Sequence, residues 1–269
     1  FYKNLKEVEV KVTSRRNEEK KPAPPFTTDA MLKEASDKLR FGAGKTMQLA
    51  QELFEIGLIT YMRTDSTRVS DVGIAIAREY IGENFGKEYF YPRHWGEGGA
   101  HECIRPTHPW DTEELRSMIL GGQLQRLTKD HLRLYELIFK RFMASQMRPV
   151  SVEVSHIEVT PLLENKELPA PKVEKEEITA VVEDGFNLMT PIEVYFVKEG
   201  TFRVEEDGNQ TPDSAMKVYK LVPLAYAFTQ GSLIEEMKKR GIGRPSTYAQ
   251  IVQKLLDRGY VIERKNYLF

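Results

Sequence analysis

The chain has 269 residues, with 39 Lys+Arg against 40 Asp+Glu and a net charge of −1. That length points to two or three domains, and the balanced charge excludes a protein that holds nucleic acid by bulk positive charge, so any such site must be a local cluster. A lone cysteine, Cys103, excludes a disulfide framework and a cysteine-based zinc module. No run of eighteen apolar residues and no signal peptide are visible, which fits a cytoplasmic protein with no membrane partner. The start at Phe1 suggests a piece of a longer polypeptide.

Residues 1–12 alternate Val8, Val10 and Val12 with Glu7, Glu9 and Lys11, which predicts a strand. The polar stretch 14–21 and Pro22, Pro24 and Pro25 read as a solvated connector. From Thr28 the period becomes helical: Thr28 is the predicted cap, and Met31, Leu32, Ala35 and Leu39 share a face. A second helix is predicted over 45–56 with Gly57 as its left-handed stop, followed by an extended 58–63. Ser70 opens a third helix, Asp111 with Glu114 a short fourth, and Thr128 a long fifth to about residue 146. Short strands are expected around Val152–Val159, Ile178–Val182, Val194–Phe196 and Val218–Leu221, with 164–177 as an exposed loop. Helices return over 231–240 and 246–258, ahead of a hairpin from Tyr260.

An internal echo is visible at constant offset. Gln48, Gln51, Leu53 and Gly57 meet Gln250, Gln253, Leu255 and Gly259. Both segments read helix, turn, helix, Gly, extended arm, the plan of a winged helix-turn-helix, which points to nucleic acid.

Three clusters carry chemistry. In an extended arm, Tyr61 and Arg63 point to one side. A fixed cation favours the phenolate and can hold a phosphate as charge develops, so the pair suits covalent attack on a phosphodiester. Taken alone, the pair fits a half-buried strand tyrosine beside a surface charge as readily. His101, Glu102, Arg105 and Thr107 form the second cluster, in a Gly/Pro-bounded loop suited to phosphate. The third is 241–247, where Pro245 just inside a helix start leaves backbone N–H donors beside Arg244, an anion seat or an ordinary turn. Gly42-Ala43-Gly44-Lys45-Thr46 ends like a phosphate-binding loop but lacks the earlier glycine and the preceding strand, so no ATP site is expected. His94, His101 and Cys103 fit no usual zinc spacing, and no Asp-x-Asp pair with a nearby Glu exists, so no metal site is expected.

The segments 57–66 (Gly-Leu-Ile-Thr-Tyr-Met-Arg-Thr-Asp-Ser), 100–107 (Ala-His-Glu-Cys-Ile-Arg-Pro-Thr) and 241–248 (Gly-Ile-Gly-Arg-Pro-Ser-Thr-Tyr) closely resemble three motifs of the type IA DNA topoisomerases, in the same order. The region 27–71 and Cys103, where ordinary bacterial members usually carry Ala, look most like the reverse gyrase branch. The resemblance implies a multidomain α+β protein: a β-rich arch in two parts (1–22 and 148–221), a helical domain with the tyrosine (23–147), and part of a helical DNA-binding domain (222–269). It implies Tyr61, Arg63 and His101 as catalytic residues, with Asp65, Arg105, Arg244, Ser246 and Thr247 on single-stranded DNA. Magnesium, and ATP for a reverse gyrase, are expected in the full-length enzyme, as are an N-terminal metal-binding domain and a helicase-like half. The isolated chain is expected not to relax DNA. The alternatives are a winged-helix-like DNA-binding module without chemistry and the same fragment of an ordinary relaxing topoisomerase I. A recombinase is disfavoured by the absence of an Arg-His-x-x-Arg box.

Overall fold

The computed structural model describes residues 5–96, 101–124, 127–163, 172–203 and 227–269. The chain divides into two compact units: Phe1–Lys20 with Pro149–Asp184 and Ile192–Leu224, and Lys21–Arg148 with Gly185–Pro191 and Ala225–Phe269.

The first unit is an antiparallel sheet. Strand β1 (Leu5–Lys20) pairs along its length with β2 (Val150–Leu163), β2 pairs with β3 (Val173–Glu183), and β1 pairs with β4 (Gly200–Arg203). Val8, Val10 and Ile157 bury one face, packed against Val159 and Phe202. The expected connector 14–21 is strand as far as Lys20, and the connector shrinks to the prolines that follow. The ladder to β2 satisfies its backbone, and cross-strand charge pairs replace an apolar face: Arg16 grips Glu176 with two bonds of 2.8 and 2.9 Å. Likewise Val173–Glu177 is strand instead of loop, because its polar side chains pair with β2, as Lys172 just ahead of it does with Glu158 at 2.8 Å. Val194 and Phe196 lie outside any strand, beside the single bond from Tyr195 N–H to the Ile178 carbonyl, 2.8 Å. Val218, Leu221 and residues 164–171 lie outside the described residues.

The second unit is helical: α1 (Thr28–Glu34) running into a π-helical turn (Ala35–Leu39), α2 (Ala43–Glu55), α3 (Asp71–Asn84), α4 (Thr112–Leu120), α5 (Lys129–Ser145), α6 (Gln230–Lys239) and α7 (Tyr248–Asp257), then a hairpin of β5 (Glu263–Arg264) and β6 (Tyr267–Leu268). Caps set the helix starts. Ser70 accepts from the Gly73 N–H, Asp111 from Glu113 and Glu114, and Thr128 from His131, whose ring returns the bond. The cap of α1 is Thr27, not Thr28; Thr28 is its first helical residue and is buried. The main core holds Phe26, Met31, Leu53, Met62, Tyr135 and Phe142. A second core, of Leu32, Ala43, Ile234, Met237, Tyr248 and Val252, seats α6 and α7 on α1 and α2.

The internal echo extends to hydrogen bonds. Gly57 (φ +79°) and Gly259 (φ +67°) end α2 and α7, and the Leu58 and Tyr260 N–H groups reach back to the Leu53 and Leu255 carbonyls, 3.0 Å in each case. A Cβ at either glycine meets nothing within 4 Å, so only the left-handed backbone opposes a side chain. Gly57→Ala and Gly259→Ala are each expected to cost about 1–2 kcal/mol, read by thermal melting.

Candidate active site

The tyrosine sits on an extended segment with one side in the core. Met62 and Thr64 are 0% and 3% exposed, while Tyr61 is 41% exposed and Arg63 and Asp65 are also exposed. This is the period of two that an extended chain imposes, so phenol, guanidinium and carboxylate share the solvent side. The Tyr61 ring stands edge-on to Phe54 at the end of α2, centroids 5.3 Å apart.

Loop 101–107 lies along this segment. Ile59 bridges Pro106, the Thr60 N–H reaches the Arg105 carbonyl at 2.9 Å, and the Thr107 N–H reaches Leu58 at 3.1 Å. The Thr60 hydroxyl donates to the Cys103 carbonyl at 2.7 Å and accepts the Arg105 N–H at 3.0 Å. The exposed His101 is thereby held near the tyrosine segment, its carbonyl accepting from Arg68 Nε at 3.4 Å. Among the described residues no hydrogen bond or ion pair engages the Arg63 guanidinium, the Tyr61 hydroxyl or the His101 ring, so all three are available to a ligand.

Arg105 is different: 5% exposed, with its donors committed to Glu102 (2.7 Å), the Pro106 carbonyl (3.0 Å) and Ser70 Oγ (3.3 Å). Gly73 makes room for it, since a Cβ there would lie 2.8 Å from Arg105 Nε. Arg105 thus ties the loop to the start of α3. Burial raises the Glu102 carboxyl, but its bonds from Arg105 and Ser70 outweigh that and leave it below its ordinary value. The folded chain therefore binds fewer protons than the unfolded one. This stabilisation is complete above the ordinary glutamate value of about 4.3 and is lost as pH falls through the lowered value. Glu102→Gln is expected to flatten that acid limb in melts recorded down to acid pH. Cys103 is fully buried, and burial pushes its thiol up to about 12, so it forms no reactive thiolate at neutral pH.

The third cluster is a turn ahead of α7. Pro245 precedes the helix, which starts three residues later than an N1 proline would place it, and the Arg244 N–H bonds to Thr247 Oγ1 at 2.8 Å. Thr247 is therefore engaged within the turn, Arg244 is exposed with Nη1 on the Gly243 carbonyl at 2.7 Å, and Ser246 is exposed. Burial pushes the Tyr248 hydroxyl up; Asp29 and Asp65 reinforce this, while Lys238 and Arg244 oppose it. Hydrogen bonds join α6, which leads into this turn, to the tyrosine segment: Lys238 holds Asp29, and the neighbouring Thr28 bonds the Met62 and Thr64 carbonyls. Sequence reasoning missed the groups that make the join: Lys238, which holds both Asp29 oxygens at 2.9 Å, and Thr28. Nothing local marks them, because their partners are remote in the chain.

Gly42 caps α2, and the Gln230 side-chain Oε1 accepts the Ala43 N–H at 2.8 Å. Among the described residues no group of three or more His, Cys, Asp or Glu could hold a metal ion. Among the described residues no helix is long and apolar enough to cross a membrane.

A family model described as DNA topoisomerase matches residues 1–269. The chain is similar to reverse gyrase 1 of Aquifex aeolicus, 60% identical over 100% of this chain and 22% of the relative. It is similar to reverse gyrase of Pyrococcus furiosus, 48% identical over 98% of this chain and 21% of the relative. It therefore spans about a fifth of their length. The solved full-length topoisomerase I of Thermotoga maritima superposes with a TM-score of 0.70 at 32% identity, covering 98% of this chain and 43% of that one. The fold, the three clusters and the match along the whole length lead to one assignment: the chain belongs to the DNA topoisomerase family, in its type IA class.

Proposed function

We propose that this chain is the tyrosine-bearing part of an enzyme that cuts one DNA strand and passes another through the break. Tyr61 Oη attacks the phosphorus and becomes linked to the 5′-phosphate, while the 3′ oxygen leaves. Arg63 holds the non-bridging oxygens as their charge grows, and attack by the 3′ hydroxyl later reverses the link. His101 supports the tyrosine's surroundings, and Asp65, Arg244, Ser246 and Thr247 border the strand. Arg105 acts indirectly, through Glu102 and Ser70. The observation that carries the reading is the exposure of Tyr61 and Arg63 on one side of a segment whose other side is core.

Residues 1–22 and 148–221 are read as the arch, 23–147 as the tyrosine domain and 222–269 as part of a second helical DNA-binding domain. Similarity to reverse gyrases at 60% and 48% identity supports a parent that introduces positive supercoils with ATP in the cytoplasm. Magnesium and ATP would be held by parts of the parent outside these residues. The test is to trap the parent protein on a labelled single-stranded oligonucleotide with denaturant and digest it. The label is expected on the peptide containing Tyr61; label on any other peptide overturns the reading.

A further inference from the structure

The segment that carries the attacking phenol has no regular sheet around it, yet its backbone is pinned on both sides of Tyr61. On one side, Thr60 is locked to the Cys103 and Arg105 backbone. On the other side the lock is Thr28, 0% exposed and remote in sequence. Its backbone N–H donates to the Thr64 carbonyl at 2.9 Å. Its hydroxyl lies 2.8 Å from the Met62 carbonyl and 3.0 Å from that of Thr64, and accepts the Thr64 N–H at 2.9 Å. Met62 and Thr64 flank Arg63, and Met62 adjoins Tyr61, so one hydroxyl fixes the peptides that aim both side chains.

Thr28 has the wrong place for a cap, since Thr27 occupies that position and no cap bond forms. Its hydroxyl is spent entirely on the tyrosine segment. Its own frame is held from α6: Lys238 grips Asp29, which also accepts the Thr27 hydroxyl at 2.9 Å.

We infer that Thr28 is a positioning residue for the cleavage step, one that sets the aim of Tyr61 and Arg63 without touching DNA. The inference rests on the phosphotyrosine reading above. Valine matches threonine in shape but its side chain has neither donor nor acceptor, so it frees the Met62 carbonyl and the Thr64 N–H and leaves the Thr64 carbonyl only the backbone N–H of residue 28. DNA binding draws on other exposed groups and is untouched, whereas attack by a phenol misplaced by about an ångström slows by roughly 10–100-fold.

The experiment uses the full-length parent protein. Thr28→Val, Thr28→Ser and Tyr61→Phe are compared for Kd on a single-stranded oligonucleotide and for the rate of covalent complex formation at saturating DNA. Thr28→Val is expected to lose about 10–100-fold in the saturated rate with its Kd unchanged, and Thr28→Ser, which keeps the hydroxyl, to recover most of that rate. A wild-type rate in Thr28→Val, a defect that more DNA repairs, or a Thr28→Ser protein as slow as Thr28→Val overturns the inference. Should Thr28→Val not fold by circular dichroism, Thr28→Cys, of similar shape and a feeble donor, replaces it under the same criteria. Tyr61→Phe separates the two levels. A covalent complex in that variant defeats the phosphotyrosine reading itself, whereas its absence beside an unimpaired Thr28→Val defeats only the role of Thr28.

Discussion

Tyr61→Phe is expected to abolish covalent DNA cleavage by the parent protein while leaving its single-strand affinity in place. The substitution deletes one oxygen. The ring keeps its edge-on contact with Phe54, and no hydrogen bond is lost, because none is made by the hydroxyl within the described residues. What disappears is the atom that would bond to phosphorus; Cys103 is buried with its thiol pushed up, and Tyr248 is buried with its hydroxyl pushed up, so neither is poised to replace it. Loss of a covalent nucleophile costs about 10⁴-fold or more in rate. Denaturant trapping on an end-labelled oligonucleotide reads the rate, and fluorescence anisotropy reads the affinity. Affinity lost together with cleavage would assign the tyrosine a structural role and return the protein to a binding module.

Arg63→Ala is expected to slow cleavage by about 10²–10³-fold, the usual cost of removing one fixed group from developing charge. Arg63→Lys recovers only part, since an ammonium cannot hold two phosphate oxygens in a planar fork. The melting temperature is expected to stay put in both variants, because the exposed guanidinium has no partner among the described residues to lose. That contrast separates Arg63 from Arg105, whose buried guanidinium has three partners. Arg105→Ala leaves Glu102 half-buried without its cation, so a fall in stability accompanies any fall in activity there. Measuring cleavage and melting on the same preparations distinguishes the two arginines.

The sequence alone carried the local chemistry. Helix starts at Ser70, Asp111 and Thr128 and stops at Gly57 and Gly259 follow from single side chains and single φ angles, so they are legible one residue at a time. The common side of Tyr61 and Arg63 follows from the period of an extended chain, and the glycine stops of α2 and α7 match because the repeat is written in residues. Strand limits were less legible. The charged end of β1 reads as linker until β2 and β3 supply its hydrogen bonds and opposite charges, and those partners are more than a hundred residues away. For the same reason only the tertiary structure could decide which polar residues stay exposed and which hold the site together. Thr28 looks like a cap, Arg105 like a phosphate ligand and Lys238 like a surface charge. Their roles are set by what folding packs against them: a hydroxyl or guanidinium taken from water must spend its bonds on the protein atoms that replace it.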